Sequence, residues 1–221
     1  MGDTKELLDV YSFEGELVGQ MEKKEFHETI RQEYLEKGTT SIRHKDVKLF
    51  LLTSKGRIIL QRRSKWKGDN PGLWDKTIGG HIASGDTFEL TMLKECAEEL
   101  GIPATIVRTE DFDKAATTTD LHVLAILRPL ILLDNYQSHR VHEEKKWTEN
   151  SITQFFLGYY DGAIRFIDSE SCGIQVFTLE ELEEEIKNSP DGFTDDIKYI
   201  INKFKHLIKP IQEKKEHILN C

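Results

Sequence analysis

Gly79–Ile102, GGHIASGDTFELTMLKECAEELGI, decides how the rest of the chain is read. It sets a diglycine turn ahead of a helical stretch that carries Glu95, Glu98 and Glu99. A helix advances about 100° per residue, so positions i, i+3 and i+4 share one face. Three carboxylates there repel one another, a cost that a bound hard cation removes. Mg²⁺ prefers oxygen ligands and is held by a few carboxylates together with substrate phosphates. The stretch therefore predicts a magnesium and diphosphate site. On the same helix Leu93, Ala97 and Leu100 are the predicted buried stripe opposite the glutamates, with Leu90 near it and Met92 and Cys96 flanking it.

The segment resembles the Nudix box, the helix motif of hydrolases that cleave diphosphates linked to another group. Gly80 opens the box, Asp86 stands where the family has its first Glu, and Lys94 stands at the Arg. Glu95, Cys96, Glu98, Glu99, Gly101 and Ile102 complete it at intact spacing. Both departures keep their charge. Asp86 has a shorter reach than Glu, and Lys94 lacks the planar fork with which Arg holds a carboxylate. The resemblance implies an α+β fold, a Nudix-type α/β/α sandwich with a mixed central sheet, here with an N-terminal hairpin extension and C-terminal helices. It also implies Mg²⁺, with Mn²⁺ as an alternative, held by Glu95, Glu98, Glu99 and a carbonyl of Gly79 or Gly80. Bound there, the ion would bridge diphosphate oxygens and acidify a water. Glu98 or Glu149 would take the proton, with Lys94 orienting Glu98.

A chain of 221 residues, 38% hydrophobic and 31% charged, is long enough to bury a sizeable core. Its net charge of −9 argues against a general nucleic-acid surface. The first residues lack the apolar core of a signal peptide, and no apolar run is long enough to span a bilayer. Cys96, Cys172 and Cys221 show no metal spacing and cannot all pair, which favours a reducing, cytoplasmic setting. The expected partner is a small-molecule diphosphate, with no nucleic acid and no membrane. A homodimer is compatible with the family.

Working outward, Leu7 to Met21 reads as a hairpin turning at Glu14-Gly15. Lys23 to Lys37 reads as a helix with Phe26, Ile30 and Tyr34 in one stripe, stopped by Gly38. Val47 to Thr53 and Arg57 to Gln61 form a second hairpin, and Ile78 to Ile82 a strand into the glycine turn. Thr105 to Arg108 and Leu121 to Leu132 read as strands, and the polar stretch Asp134 to Thr148 as a long loop. Ile152 to Asp161 and Gln175 to Phe177 are further strands. Thr178 with Glu181 is a capping box for a helix ended by Pro190-Asp191-Gly192, and a last helix spans about Thr194 to Leu207. The expected organisation is an extension over residues 1–40, a Nudix domain over 41–208 and a charged tail over 209–221.

From Leu7 to Phe204 the order of motifs is similar to the Nudix branch of isopentenyl-diphosphate isomerase: Asp9-Val10-Tyr11, His27, Arg43-His44, Leu60-Gln61-Arg62-Arg63, Pro71-Gly72-Leu73-Trp74 and Gly79-Gly80-His81. That isomerase needs a cysteine where this chain has Gly79, and a Glu-Asn-Glu segment where this chain has Glu149-Asn150-Ser151. Glycine moves no proton and serine is too weak an acid. The resemblance also implies a second metal position at His44, His81 and Glu149, with Lys37 at the remaining histidine position. Arg63 and Lys67 match a basic pair that contacts phosphate, and Trp74, with Trp66 and Trp147, offers an aromatic wall to a substrate. A diphosphate hydrolase is the leading expectation. An isomerase-like enzyme and a non-catalytic ligand-binding module are the alternatives.

Overall fold

In the computed structural model, residues 6–165 and 171–211 are described. The expected charged tail, with Cys221, falls almost wholly outside them. The chain opens with a hairpin, β1 (Leu7–Tyr11) and β2 (Leu17–Glu22), followed by helix α1 (Lys23–Lys37). Gly38 ends α1 in the left-handed conformation at φ 75°, where its N–H closes onto Tyr34 O. Next come β3 (His44–Leu52), β4 (Ile58–Arg63), β5 (Trp74–Asp75), β6 (Ile78–His81), α2 (Phe88–Glu99), β7 (Ala104–Ile106) and α3 (Phe112–Thr118). The chain continues through β8 (Ala125–His142), β9 (Lys145–Tyr159), β10 (Ser171–Phe177), α4 (Leu179–Asn188) and α5 (Asp195–Phe204).

One mixed sheet runs β10-β4-β3-β9-β8-β7, with β5 beside β4 and β6 beside β3. The β3–β9 and β7–β8 pairs are parallel and the others antiparallel. On one edge β3 meets β6 along Asp46–Leu49 and β4 only at Leu51 and Leu52. The sheet therefore divides beside β3, and the division opens the site described below.

Side chains alternate across a strand, and β3 uses that alternation to serve two cores. Val47, Leu49 and Leu51 pack with Phe156 against Met92, Cys96 and Leu100 of α2. Phe50 and Leu52 pack with Phe155 and Leu157 against α3, α4 and α5, through Phe112, Leu182, Ile197 and Ile200. A sheet layered between helices is the α/β/α sandwich expected from the sequence. A third cluster of Leu8, Val10, Phe26, Ile30 and Trp147 ties the N-terminal hairpin and α1 to β9.

Two expectations require correction, and one element is new. The buried stripe of α2 is Met92, Cys96 and Leu100; Ala97 and Leu90 are exposed. Burial pushes the Cys96 thiol up to about 12, so it is an inert core residue. Asp134–Thr148 is no loop: it forms the outer halves of β8 and β9, closed at Glu143-Glu144, where φ is 47° and 66°. Two successive positive φ angles make the tight hairpin turn that matches strand twist, here without the usual Asn-Gly. The inward residues of this stretch include Ser138 and Thr148 beside Tyr136 and Trp147, so polar side chains interrupt the apolar alternation. Finally, α3 lies in a stretch left unassigned by the sequence, with Phe112 and Ala116 turned inward.

Candidate active site

The division beside β3 is the mouth of a cavity of about 840 Å³. One wall is α2 with the turn before it, presenting Glu95, Glu98, Glu99 and Lys94 beside Gly79 and Gly80. The facing wall carries Arg63 and Lys67, and the floor carries Asp46, Lys48, Asp75 and Lys76. Strand alternation separates the two arginines ending β4. Arg63 turns into the cavity and pairs with Asp75 at 3.2 Å, while the exposed Arg62 lies over the Trp74 ring at 5.6 Å.

The glycines explain themselves by contact. A Cβ on Gly80 would stand 2.1 Å from Glu95 Oε1, so only a bare backbone lets that carboxylate fold back over the turn. A Cβ on Gly79 would meet Lys76 Cε at 2.5 Å. Lys76 is anchored there by Asp196 at 2.8 Å and Asp75 at 3.2 Å. Asp196 also takes Lys48 at 3.2 Å, and Lys48 takes Asp46 at 2.9 Å. Burial alone would raise the Asp196 carboxyl, but the two ammonium groups outweigh it and hold this acid well below the usual range. The floor is thus a set of buried charges, each neutralised by a neighbour.

Asp86 and Lys94, the two box positions that depart from the motif, find each other: Lys94 Nζ donates to Asp86 Oδ2 at 2.7 Å. Lys94 is therefore committed to Asp86 instead of gripping Glu98. The Asp86 partner, through its hydrogen bond and charge, raises the Lys94 ammonium's pKa.

Beside the cavity lies a cluster of imidazoles. His27 Nε2 is 2.9 Å from His81 Nε2, and His27 Nδ1 is 3.1 Å from Glu149 Oε1. His44 stacks on His81 with ring centroids 4.9 Å apart, its Nδ1 4.0 Å from Glu149. Arg140 Nη2 grips the other Glu149 oxygen. Burial lowers His44 to about 4 against the pull of Glu149, and burial with the neighbouring His27 and Lys23 lowers His81 well below its usual value.

Most of the expected site residues converge: Arg63, Lys67, Gly79, Gly80, His81, Lys94, Glu95, Glu98 and Glu99 line one space. Others do not. Glu149 is fully buried, and although burial opposes ionisation, Arg140 and His27 hold its carboxyl well below the usual carboxylate range. It does not line the cavity, and so weak a base is a poor proton acceptor. Trp74 packs edge-on against Phe177 instead of reaching the cavity, Trp66 is exposed and Trp147 is core, so no aromatic wall forms. The expected triad His44, His81 and Glu149 is corrected to His27, His81 and Glu149, whose ligand atoms lie within 4.8 Å of one another. Lys37, expected to oppose a metal there, pairs with Glu33 on the outer surface of α1. The opposing cation is Arg140. His27 was visible in the sequence only as part of a motif order, because its partners lie 54 and 122 positions away.

The family profile of the NUDIX domain matches residues 42–197, more than half of the chain, and the protein belongs to that family. The isopentenyl-diphosphate Delta-isomerase of Mycolicibacterium vanbaalenii is 29% identical over 120 residues, 53% of this chain and 61% of that protein. An uncharacterised Nudix hydrolase of Nostoc is 30% identical over 105 residues, 48% of this chain and 56% of that protein. The chain thus spans under two thirds of the length of these two relatives. The crystal structure of DR0079 from Deinococcus radiodurans superposes with a TM-score of 0.62 at 22% identity, covering 90% of this chain and 98% of that one, and shares the fold.

Proposed function

We propose that the protein is a divalent-metal-dependent hydrolase of a diphosphate linkage in a small molecule. The observation that carries this is the glycine cradle at Gly80, which lets Glu95 close over the turn while Glu98 and Glu99 share its cavity wall. Hard oxygen donors of this kind suit Mg²⁺ or Mn²⁺. The residues present fit such an ion, with Glu95, Glu98, Glu99 and a carbonyl of Gly79 or Gly80 as its holders. When bound, the ion neutralises charge on the diphosphate and acidifies a water. Arg63, held by the Asp69 carbonyl through Nε and Nη2 and by Asp75 through Nη1, offers phosphate its charge and remaining N–H groups, and Lys67 a point charge. Glu98, exposed on the cavity wall, is the group placed to take a proton. A second cation at His27, His81 and Glu149 belongs to this proposal as a subsidiary site, with Arg140 already neutralising the carboxylate. The enzyme is proposed to act on a soluble substrate, without nucleic acid or membrane, in the cytoplasm, as a monomer or homodimer; no helix among the described residues is long and apolar enough to cross a membrane.

The related isomerase reaction is disfavoured by two contacts. Lys76 fills the space beside Gly79 where a cysteine would stand, and the Ser151 hydroxyl is buried against Thr153 at 2.8 Å. The test is phosphate release over a panel of diphosphates with Mg²⁺ and Mn²⁺, for the native protein and Glu98→Gln. Turnover lost in the variant supports the reading. Turnover unchanged in the variant, or ligand-induced thermal stabilisation with no release by the native protein, counts against it.

A further inference from the structure

Beside the cavity lies a second chamber of about 610 Å³, open to solvent and bordered by α1, the outer half of the β8–β9 hairpin and the loop after β4. Glu6, Lys23, Arg63, Lys67, His81 and Arg140 line both spaces, so the chambers share a neck with four cations against one carboxylate, Glu6, which pairs with Lys23 at 2.8 Å. Beyond the neck the second chamber adds Lys24, His27, Arg31 and His142. Its lining holds six lysine and arginine side chains against four carboxylates, while the whole chain carries −9. Arg31 has no ion pair or hydrogen bond among the described residues. Arg140 Nε is buried and donates to nothing among them, although a buried donor normally finds an acceptor.

The chamber is held open by specific contacts. Asp69 accepts from His142 Nδ1 at 3.1 Å and from Trp147 Nε1 at 3.3 Å. Asn70 and Val141 exchange bonds at 2.9 Å in both directions. Gly68 lets the loop close on His142, whose Cε1 would stand 3.2 Å from any Cβ there. No aromatic ring other than histidine, and no aliphatic side chain, lines the space. Its apolar surface comes only from the stems of charged side chains and from imidazole rings, each ending in a polar head.

We infer that this second chamber receives a distal anionic group, a phosphate monoester or carboxylate, so that the substrate is a diphosphate bearing a further negative charge at its other end. The inference rests on the proposed hydrolase reading for where the diphosphate sits. The neck cations neutralise the near phosphate, and Arg31 and Lys24 meet the far group with His27 and His142 between them. A short prenyl diphosphate satisfies the first chamber only.

Two measurements test it on the full chain. First, inorganic phosphate is titrated into the metal-free protein while the imidazole resonances of His27 and His142 are followed by NMR. Saturable shifts in the native protein, lost in the double variant Lys24→Ala and Arg31→Ala, support the site. This arm requires no turnover, so it stands apart from the hydrolase reading. No shift up to tens of millimolar phosphate overturns the inference. Second, methylene-bridged diphosphates are compared by calorimetry with Mg²⁺ present, in pairs that differ by one phosphate at the far end. A gain of about tenfold from the added phosphate, abolished in the double variant, is the expected result. An equal affinity for both members, or a gain the double variant retains, overturns it. Lys24 is exposed and Arg31 half-buried where α1 lines the chamber, and neither belongs to the buried core, so the variant keeps the core, and an unchanged melting temperature verifies that.

Discussion

Gly79 and Gly80 do different work although they are neighbours. A methyl group on Gly80 would displace the Glu95 carboxylate from the turn, so Gly80→Ala should act on cation affinity more than on folding. The Mg²⁺ concentration giving half-maximal turnover is expected to rise tenfold or more, with the melting temperature nearly unchanged. At Gly79 the obstacle is a buried lysine anchored by two aspartates. Gly79→Cys should therefore cost stability by overpacking, about 1 to 3 kcal/mol. It should bring no isomerase activity, because the thiol must displace Lys76 before it can reach a substrate. Deuterium incorporation into isopentenyl diphosphate is the measurement, and incorporation above the native background would refute this account. The glycines and glutamates were legible in the sequence because the box fixes their spacing on one turn and one helix. The contacts that make Gly79 obligatory were not, since Lys76 is held by Asp196 from the far end of the chain.

At the scale of elements, α1 and the first hairpin read in the sequence as an extension, yet they form part of the wall. Phe26 and Ile30 are fully buried with Leu8 and Trp147, and the same helix delivers Lys23 to the neck between the chambers and His27 to the second chamber. Phe26→Ala removes a large side chain with no exposure and is expected to cost about 3 to 5 kcal/mol. The urea midpoint reads this loss. Helix α4 shows the opposite case, an element complete in local code. Thr178 accepts from the Glu181 N–H at 3.1 Å while the Glu181 carboxylate takes the Thr178 N–H at 2.7 Å, the reciprocal cap its sequence announces. Local signals suffice where partners are three residues apart. They fail along the outer halves of β8 and β9, where inward polar side chains are satisfied by residues from α1, β3 and α5.

For the whole molecule, the charged floor of the cavity links stability to pH. Asp196 is acidic in the folded state relative to a free carboxyl of about 3.9. A depressed carboxylate contributes stability that is present above the unfolded value and is lost as pH falls through the folded one. The melting temperature is expected to hold from neutrality to about pH 5 and to fall steeply below about 4. Asp196→Asn strips Lys48 and Lys76 of a shared partner, and breaking such a buried set costs about 3 to 5 kcal/mol. Its acid limb should be shallower, because one of the titrating groups is gone. Melting curves against pH for both proteins check the sign, and parallel limbs would remove Asp196 from the explanation. Asp75, whose carboxyl Lys76 and Arg63 hold below its ordinary value against the opposing effect of burial, accounts for the acid sensitivity that remains.

What the sequence by itself determined is the box: its spacing, the helix that bears it, and with it the family and the layered fold. The helix follows from periodicity and turn chemistry, which act within a few residues, while the family and the layered fold are what the resemblance of that box implied. What only the tertiary structure decided is the company the box keeps. The imidazole cluster of His27, His44 and His81, the Arg140 clasp on Glu149, the lysines seated on Asp196 and the second chamber all join residues from distant parts of the chain. No local pattern encodes such meetings, because they depend on the register of β3 against β9 and on the tight turn that folds β8 back along it. Charge and burial then select which of those residues face the substrate and which serve only to hold the others in place.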